Sequence, residues 1–371
     1  MLKAYAVEDL KPGMVIGTDV SEDDVNVLIQ AGTVLTQPIL DDLMTHSIFS
    51  VEVREGEDPK EQAAPQTKLL DDTYVACYER TYTALEALLK TLNEYGQIDL
   101  KALQRLIGSA DFRTLSDGAK AISQIHNMDR TKNYIVHHSL DVGILASLMG
   151  RWLGLTPYER YDLIVAGLLL DIGKMRISDT IINKHGKLTA TEYGIVKNHT
   201  KIGGEMLQKT DLGANRKIMD GVLQHHERNN GSGYPFALKG DKISDFGRIL
   251  ALLDIYDAMA STRSYARRVS PFHIFDILND DVLNNRLDVQ YAVLFMRHVC
   301  HSLNGSWVRL NDGTVANIVY MDESRVTTLP VVQTTKGEFI DLNTASGKKI
   351  DCILTAKELA DEQTKEQLRQ S

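Results

Sequence analysis

Residues 217–235, KIMDGVLQHHERNNGSGYP, set two adjacent histidines, His225 and His226, at the end of an apolar helical run and follow them with a glycine-rich loop closed by Tyr234 and Pro235. Ile218 and Val222 fall on one helical face and lead to the two imidazoles at i+3 and i+4, so both approach the same interior. Adjacent histidines can ligate one metal ion from a helix end, and glycines let a backbone approach a phosphate closely. The run therefore predicts helices around a metal, with a phosphorylated substrate nearby.

Working outward, four further helical segments send polar groups to the same interior. In YIVHHSLDVGILASLMG, residues 134–150, Ile135, His138, Val142, Leu145 and Met149 share a face, which turns His138 inward and His137 aside by about 100°. In YDLIVAGLLLDIGKM, residues 161–175, Ile164, Gly167, Leu168 and Asp171 form one stripe. A buried carboxylate needs a cation or a metal; Lys174, three residues on, offers the simpler alternative of a salt bridge. A capping box from Thr189 to Glu192 opens a helix whose Ile195, Val196, His199, Ile202 and Met206 lie on one side. In GRILALLDIYDAM, residues 247–259, Leu250, Asp254 and Asp257 recur at i, i+4 and i+7 among apolar neighbours. Any one of these groups could be a core residue with its own partner. Inward histidines and aspartates on five successive helices are satisfied together by metal ions. Mixed His and Asp ligation suits iron, manganese or zinc, and a carboxylate able to bridge suits two ions.

Composition frames the site. A chain of 371 residues, 43% hydrophobic, suggests two or three domains. The start MLKAYAVEDLK is charged where a signal peptide is apolar, and no apolar run approaches the ~20 residues of a membrane span, so a cytoplasmic protein without membrane association is expected. Cys77, Cys300 and Cys352 are too scattered for a disulfide framework or a cysteine-ligated zinc. The net charge of -9 argues against DNA or RNA as partner. Residues 1–53, with β-branched runs at 25–29, 34–35 and 51–53, read as a small β-rich domain, and 54–68, REGEDPKEQAAPQTK, as a linker. Residues 69–300 are helical; Tyr74, Tyr78, Tyr82, Leu85, Leu88, Leu89 and Leu92 form a core stripe. Dimerisation through 69–125 is left open. Residues 301–355 alternate around Asp312-Gly313 and Lys336-Gly337 turns as a C-terminal β extension, and 356–371 form a charged tail, helical or frayed. The fold class is mainly α.

The ordered set of His138, Asp171-Ile-Gly-Lys174, His199, His225-His226-Glu-Arg, Gly231-Ser-Gly-Tyr-Pro235, Leu253-Asp254-Ile-Tyr-Asp257 and Arg263 resembles the HD-GYP domain of bacterial cyclic di-GMP phosphodiesterases. The resemblance covers a core of about 127–300, and residues 1–53 are similar to the small domain often found ahead of it. It implies an HD-type helical bundle that holds divalent metal ions and hydrolyses cyclic di-GMP to pGpG or GMP. It implies His138, Asp171, His199, His225, His226 and Asp254 as metal ligands, with Asp171 as the bridging, catalytic carboxylate. Lys174 and Arg263 would hold substrate phosphate, and Gly233, Tyr234 and Pro235 would shape the pocket edge. Iron or manganese is favoured, with zinc as a further option. Signalling proteins such as diguanylate cyclase domains are the protein partners it suggests. A plain surface turn is the alternative for the GYP loop, and a solvated pair for Glu227 and Arg228.

The sequence departs from the family where the name-giving His-Asp pair reads Leu170-Asp171. One half of the site, around His138, Asp171 and Asp254, is then short of a ligand, while Asp171, His199, His225 and His226 keep the other half complete. In RSYAR, residues 263–267, the family's proline and second basic residue are absent, with Arg267 as a substitute. Tyr134 is no carboxylate, so two ions are the maximum. Leu170 leaves two classes open: a phosphodiesterase, or a degenerate relative that serves as a cyclic di-GMP receptor or interaction module.

Overall fold

A computed structural model describes residues 2–18, 20–21, 27–29, 31–35, 37–43, 48, 50–54, 72–127, 133–184, 186–260, 270–321, 329–354 and 358–362. Nearly all of the expected linker, Arg263, Arg267 and most of the charged tail lie outside the described residues.

The N-terminal part comprises β1 (Leu2–Ala6), β2 (Val15–Ile16), β3 (Val20–Ser21), β4 (Val27–Ile29), α1 (Gln37–Leu43) and β5 (Ser50–Arg54). β5 lies between β1 and β2, antiparallel to both, and its alternation buries Val51 and Val53. Val34, expected in a strand, makes only an isolated bridge to Val15. The sequence reading also missed α1, where Pro38 is tolerated because it sits in the first turn. Ile39, Leu40 and Leu43 then bury one helical side.

Helices follow: α2 (Asp72–Tyr95), α3 (Leu100–Ile107), α4 (Ala110–Leu115), α5 (Gly118–Asn127), α6 (Tyr134–Trp152), α7 (Pro157–Leu169), α8 (Asp179–Ile182), α9 (Ala190–Lys197), α10 (His199–Gln208), α11 (Arg216–Gln224), α12 (Asp245–Ala260), α13 (Pro271–Leu283) and α14 (Val289–Ser302). The α2 stripe from Tyr74 to Leu92 is buried, as its spacing predicts. α6 and the second half of α7 form the centre and are buried nearly all round, the signature of a core helix. Gly167 lets them meet backbone to backbone. A Cβ there would lie 3.2 Å from the Val142 carbonyl oxygen and 3.3 Å from the Gly143 Cα. α7 begins at a full capping box, Thr156 to Glu159, and Glu159 also accepts from Lys217 Nζ at 2.9 Å, tying α7 to α11.

The C-terminal sheet, in order β10 (Ile350–Ile353), β6 (Trp307–Leu310), β7 (Val315–Tyr320), β8 (Val331–Thr334), β9 (Phe339–Asp341), is antiparallel throughout. Gly313 and Gly337 take positive φ between paired strands, where the sequence places its turns. Val319, Tyr320 and Val331 pack into the N-terminal core with Ile16 and Val53, so the two β-rich ends of the chain share one apolar cluster. Among the described residues no helix is long and apolar enough to cross a membrane.

Candidate metal centre

The site lies where the ends of α7 and α11 meet the second turn of α6, the start of α10 and the third turn of α12. Two local details differ from the helical-wheel reading. α7 stops at Leu169, and Asp171 begins a tight 3₁₀ turn, Ile172–Arg176, rather than continuing a helical stripe. The helix expected from Thr189 through Met206 is broken at Asn198, so His199 opens α10, while Ile195 on α9 is 40% exposed instead of inward. Gly173 allows the turn to reach His199: a Cβ there would clash with the His199 carbonyl oxygen and lie 2.7 Å from the Gly203 nitrogen.

Asp171, His199, His225 and His226 bring one ligand atom each to within 4.8 Å of one another. The ring tautomers follow from their backbone partners. His199 Nδ1 donates to the Val196 carbonyl at 2.6 Å and His225 Nδ1 to the Val222 carbonyl at 2.8 Å, since a carbonyl can only accept. Both Nε2 atoms then face the site. They stand 3.3 Å apart, and Asp171 Oδ1 lies 3.2 Å from the first and 3.8 Å from the second. That oxygen is buried and receives no hydrogen bond among the described residues. Burial, with His199 nearby, holds His225 down to about 4, and burial with His225 nearby pushes His226 well below the usual range. Two buried imidazole nitrogens and a carboxylate oxygen facing one point fit a divalent cation.

The other half is built differently. His138 Nδ1 donates to Asp257 Oδ2 at 2.7 Å, and its Nε2 faces Asp254 Oδ1 at 3.0 Å and Asp171 Oδ2 at 3.5 Å. Burial opposes a charge on His138, but Tyr134, Asp254 and Asp257 outweigh it and raise its pKa well above the ordinary value. His226 Nδ1 is 3.5 Å from Asp254 Oδ2. The two oxygens of Asp171 thus face the two halves separately. Leu170 is wholly buried in the main core, and Lys174 Nζ lies 2.5 Å from Asp171 Oδ2. The salt bridge offered as the simple alternative is therefore formed. Despite the burial cost, the Lys174 ammonium and the His199 imidazole hold Asp171 ionised, and Asp171 in turn raises Lys174.

The GYP loop caps the pocket. Tyr234 stacks on His226 with ring centroids 4.7 Å apart and meets His199 edge-on. A Cβ on Gly233 would come to 2.5 Å from three backbone atoms of residues 226–228, so glycine is required there. Glu227 is not part of a solvated pair: it is 1% exposed and accepts from the amides of Phe236 at 2.7 Å and Leu238 at 3.0 Å, fixing the loop. Arg228 donates to the carbonyls of His225 and Glu227. Sequence reasoning found Asp257 inward but not its bond to His138, and it missed the anchoring role of Glu227. A charge next to a histidine pair, ahead of a glycine loop, is the signal that could have raised Glu227.

Fold and site together define a helical bundle with a buried His/Asp cluster that could hold a cation, beside a glycine-rich loop. The HD domain family model matches residues 66–290, and the chain belongs to that family, in the HD-GYP group its ordered motifs resemble. It is 33% identical over 199 residues to a cyclic di-GMP phosphodiesterase of Pseudomonas aeruginosa, covering 54% of this chain and 47% of that one. It is 33% identical over 190 residues to the cyclic di-GMP phosphodiesterase response regulator RpfG of Xanthomonas campestris, covering 50% and 45%. It is 30% identical over 171 residues to a 3'3'-cGAMP-specific phosphodiesterase of Vibrio cholerae, covering 46% and 39%. The chain spans less than half the length of these relatives.

Proposed function

We propose that the protein is a metal-dependent phosphodiesterase that hydrolyses cyclic di-GMP to pGpG or GMP. The convergence of His199 Nε2, His225 Nε2 and the unpartnered Asp171 Oδ1 carries this reading. His199, His225, His226 and Asp171 would hold one ion, iron or manganese by preference and zinc as the alternative. When bound, a divalent cation lowers the pKa of water toward neutrality and withdraws charge from an attacked phosphate. Asp171 would orient the attacking water, and Lys174, partly exposed and cationic, would steady a phosphate oxygen beside it. Arg263 would be a second phosphate clamp. Tyr234, on the His226 ring, would close the pocket side and exclude bulk water. Asp254 and His138 would supply a second, weaker ion position, because Leu170 offers no lone pair. We assign this chemistry to the helical part, 69–300, and give 1–53 and 301–355 a supporting place.

The second reading, a receptor that binds the nucleotide intact, is favoured by one observation: the Lys174 ammonium occupies Asp171 Oδ2, the oxygen that faces His138. The test is product chromatography after the full chain, loaded anaerobically with iron(II) or manganese, meets cyclic di-GMP. Linear product supports the enzyme. Micromolar binding of intact nucleotide without turnover supports the receptor, and neither binding nor turnover sinks the substrate assignment.

A further inference from the structure

Lys197 and Lys201 flank His199 on either side, and among the described residues neither forms an ion pair. Some other surface cations of the bundle are paired: Lys184 lies 2.6 Å from Glu192, Lys217 2.9 Å from Glu159 and Arg216 3.3 Å from Asp220. The Lys197 and Lys201 ammonium groups lie over aromatic faces. Lys197 Nζ is 4.9 Å from the Tyr193 ring centroid and 5.7 Å from that of Tyr234, and Lys201 Nζ is 5.9 Å from that of Phe236. Tyr193 and Phe236 are half exposed, at 49% and 51%. Phe236 is nevertheless held in place, because its own amide donates to the buried Glu227 carboxylate.

A line therefore runs outward from the metal centre through His226, the stacked Tyr234 and Lys197 to Tyr193, with Phe236 and Lys201 alongside. Cations alternating with open π faces match a ligand that alternates phosphates with planar bases. A cyclic dinucleotide has two phosphates, and the centre attacks one. We propose that Lys197 and Lys201 bind the phosphate that is not attacked and that Phe236 stacks the adjoining base, a subsite that selects dinucleotides over mononucleotides. The subsite rests on the cyclic dinucleotide reading above.

The test is calorimetric titration of the metal-loaded full chain with the hydrolysis-resistant phosphorothioate analogue of cyclic di-GMP and, in parallel, with GMP. The double variant Lys197→Ala/Lys201→Ala and the single variant Phe236→Ala should each weaken the analogue about tenfold. GMP affinity should change by less than about twofold, and Lys197→Arg/Lys201→Arg should keep analogue affinity to within about threefold, since charge and ring contact survive. Metal content, measured for every variant, should match the native chain, so a damaged fold cannot pass for a lost contact. Unchanged analogue affinity in the alanine variants, or an equal loss for GMP, overturns the subsite while leaving the phosphodiesterase reading intact. A native chain that binds no analogue overturns both.

Discussion

His199 Nε2 and His225 Nε2 stand 3.3 Å apart, each ring oriented by its Nδ1, which donates to a carbonyl one turn back. Two buried imidazole nitrogens turned to one point beside a carboxylate suit a divalent cation, which all of them can ligate together. The native chain should therefore gain thermal stability on addition of manganese, by about 2.7 kcal/mol at a hundred times Kd. His225→Ala should bind the ion at least about tenfold more weakly and lose most of that gain, read by melting curves with and without metal.

Asp257 acts on the other half through His138. The 2.7 Å bond from His138 Nδ1 fixes which nitrogen faces Asp254 and Asp171. Asp257→Asn preserves shape but can turn an amide N–H toward the ring, so the His138 half should lose about ten- to a hundredfold in metal affinity. Competition with a chromogenic chelator would measure it; an unchanged affinity would leave His138 without any role as a ligand.

In the proposed site, Leu170 is the position that would limit the same half. Leu170→His restores an imidazole next to Asp171, so metal content should rise from about one ion per chain toward two, with faster hydrolysis. Elemental analysis reads the first and product chromatography the second. An unaltered ion count would mean that Lys174, on Asp171 Oδ2, keeps that position closed.

Glu159 offers a test by pH away from the metal. Its bonds to Lys217 and to the Thr156 hydroxyl and amide hold its pKa at about 2, against an ordinary 4.5. A lowered carboxylate pKa gives stability that is present above 4.5 and is lost as pH falls toward 2. Glu159→Gln should thus lower the melting temperature at pH 7, and the difference from the native chain should shrink progressively below pH 4.5. A difference that stays constant down to pH 3 would mean that the Lys217 link between α7 and α11 contributes nothing.

Much of the centre could be read from periodicity because α6, α11 and α12 are regular up to their polar residues: His138, the His225-His226 pair, Asp254 and Asp257 all lie inward as the helical spacing requires. Where the backbone leaves the helix, periodicity says nothing. Asp171 reaches the site from a 3₁₀ turn that depends on Gly173, and His199 does so after the break at Asn198. Tertiary partners were equally hidden. His137, turned aside on the wheel, is buried against Tyr78 and Tyr82 of α2, with Tyr78 also donating to Asp141 at 3.0 Å. The shared core of Ile16, Val53, Val319 and Val331 joins segments too distant in sequence for any local pattern to pair.

The most direct measurement is a time course of cyclic di-GMP conversion by the iron- or manganese-loaded full chain beside its Asp171→Asn variant and a chelator-treated sample. Linear pGpG or GMP should accumulate with the native chain alone, and the variant and the stripped protein should stay at background. Intact cyclic di-GMP in all three, from native protein shown to carry its metal, would contradict the hydrolytic role assigned to Asp171 and the histidines around it.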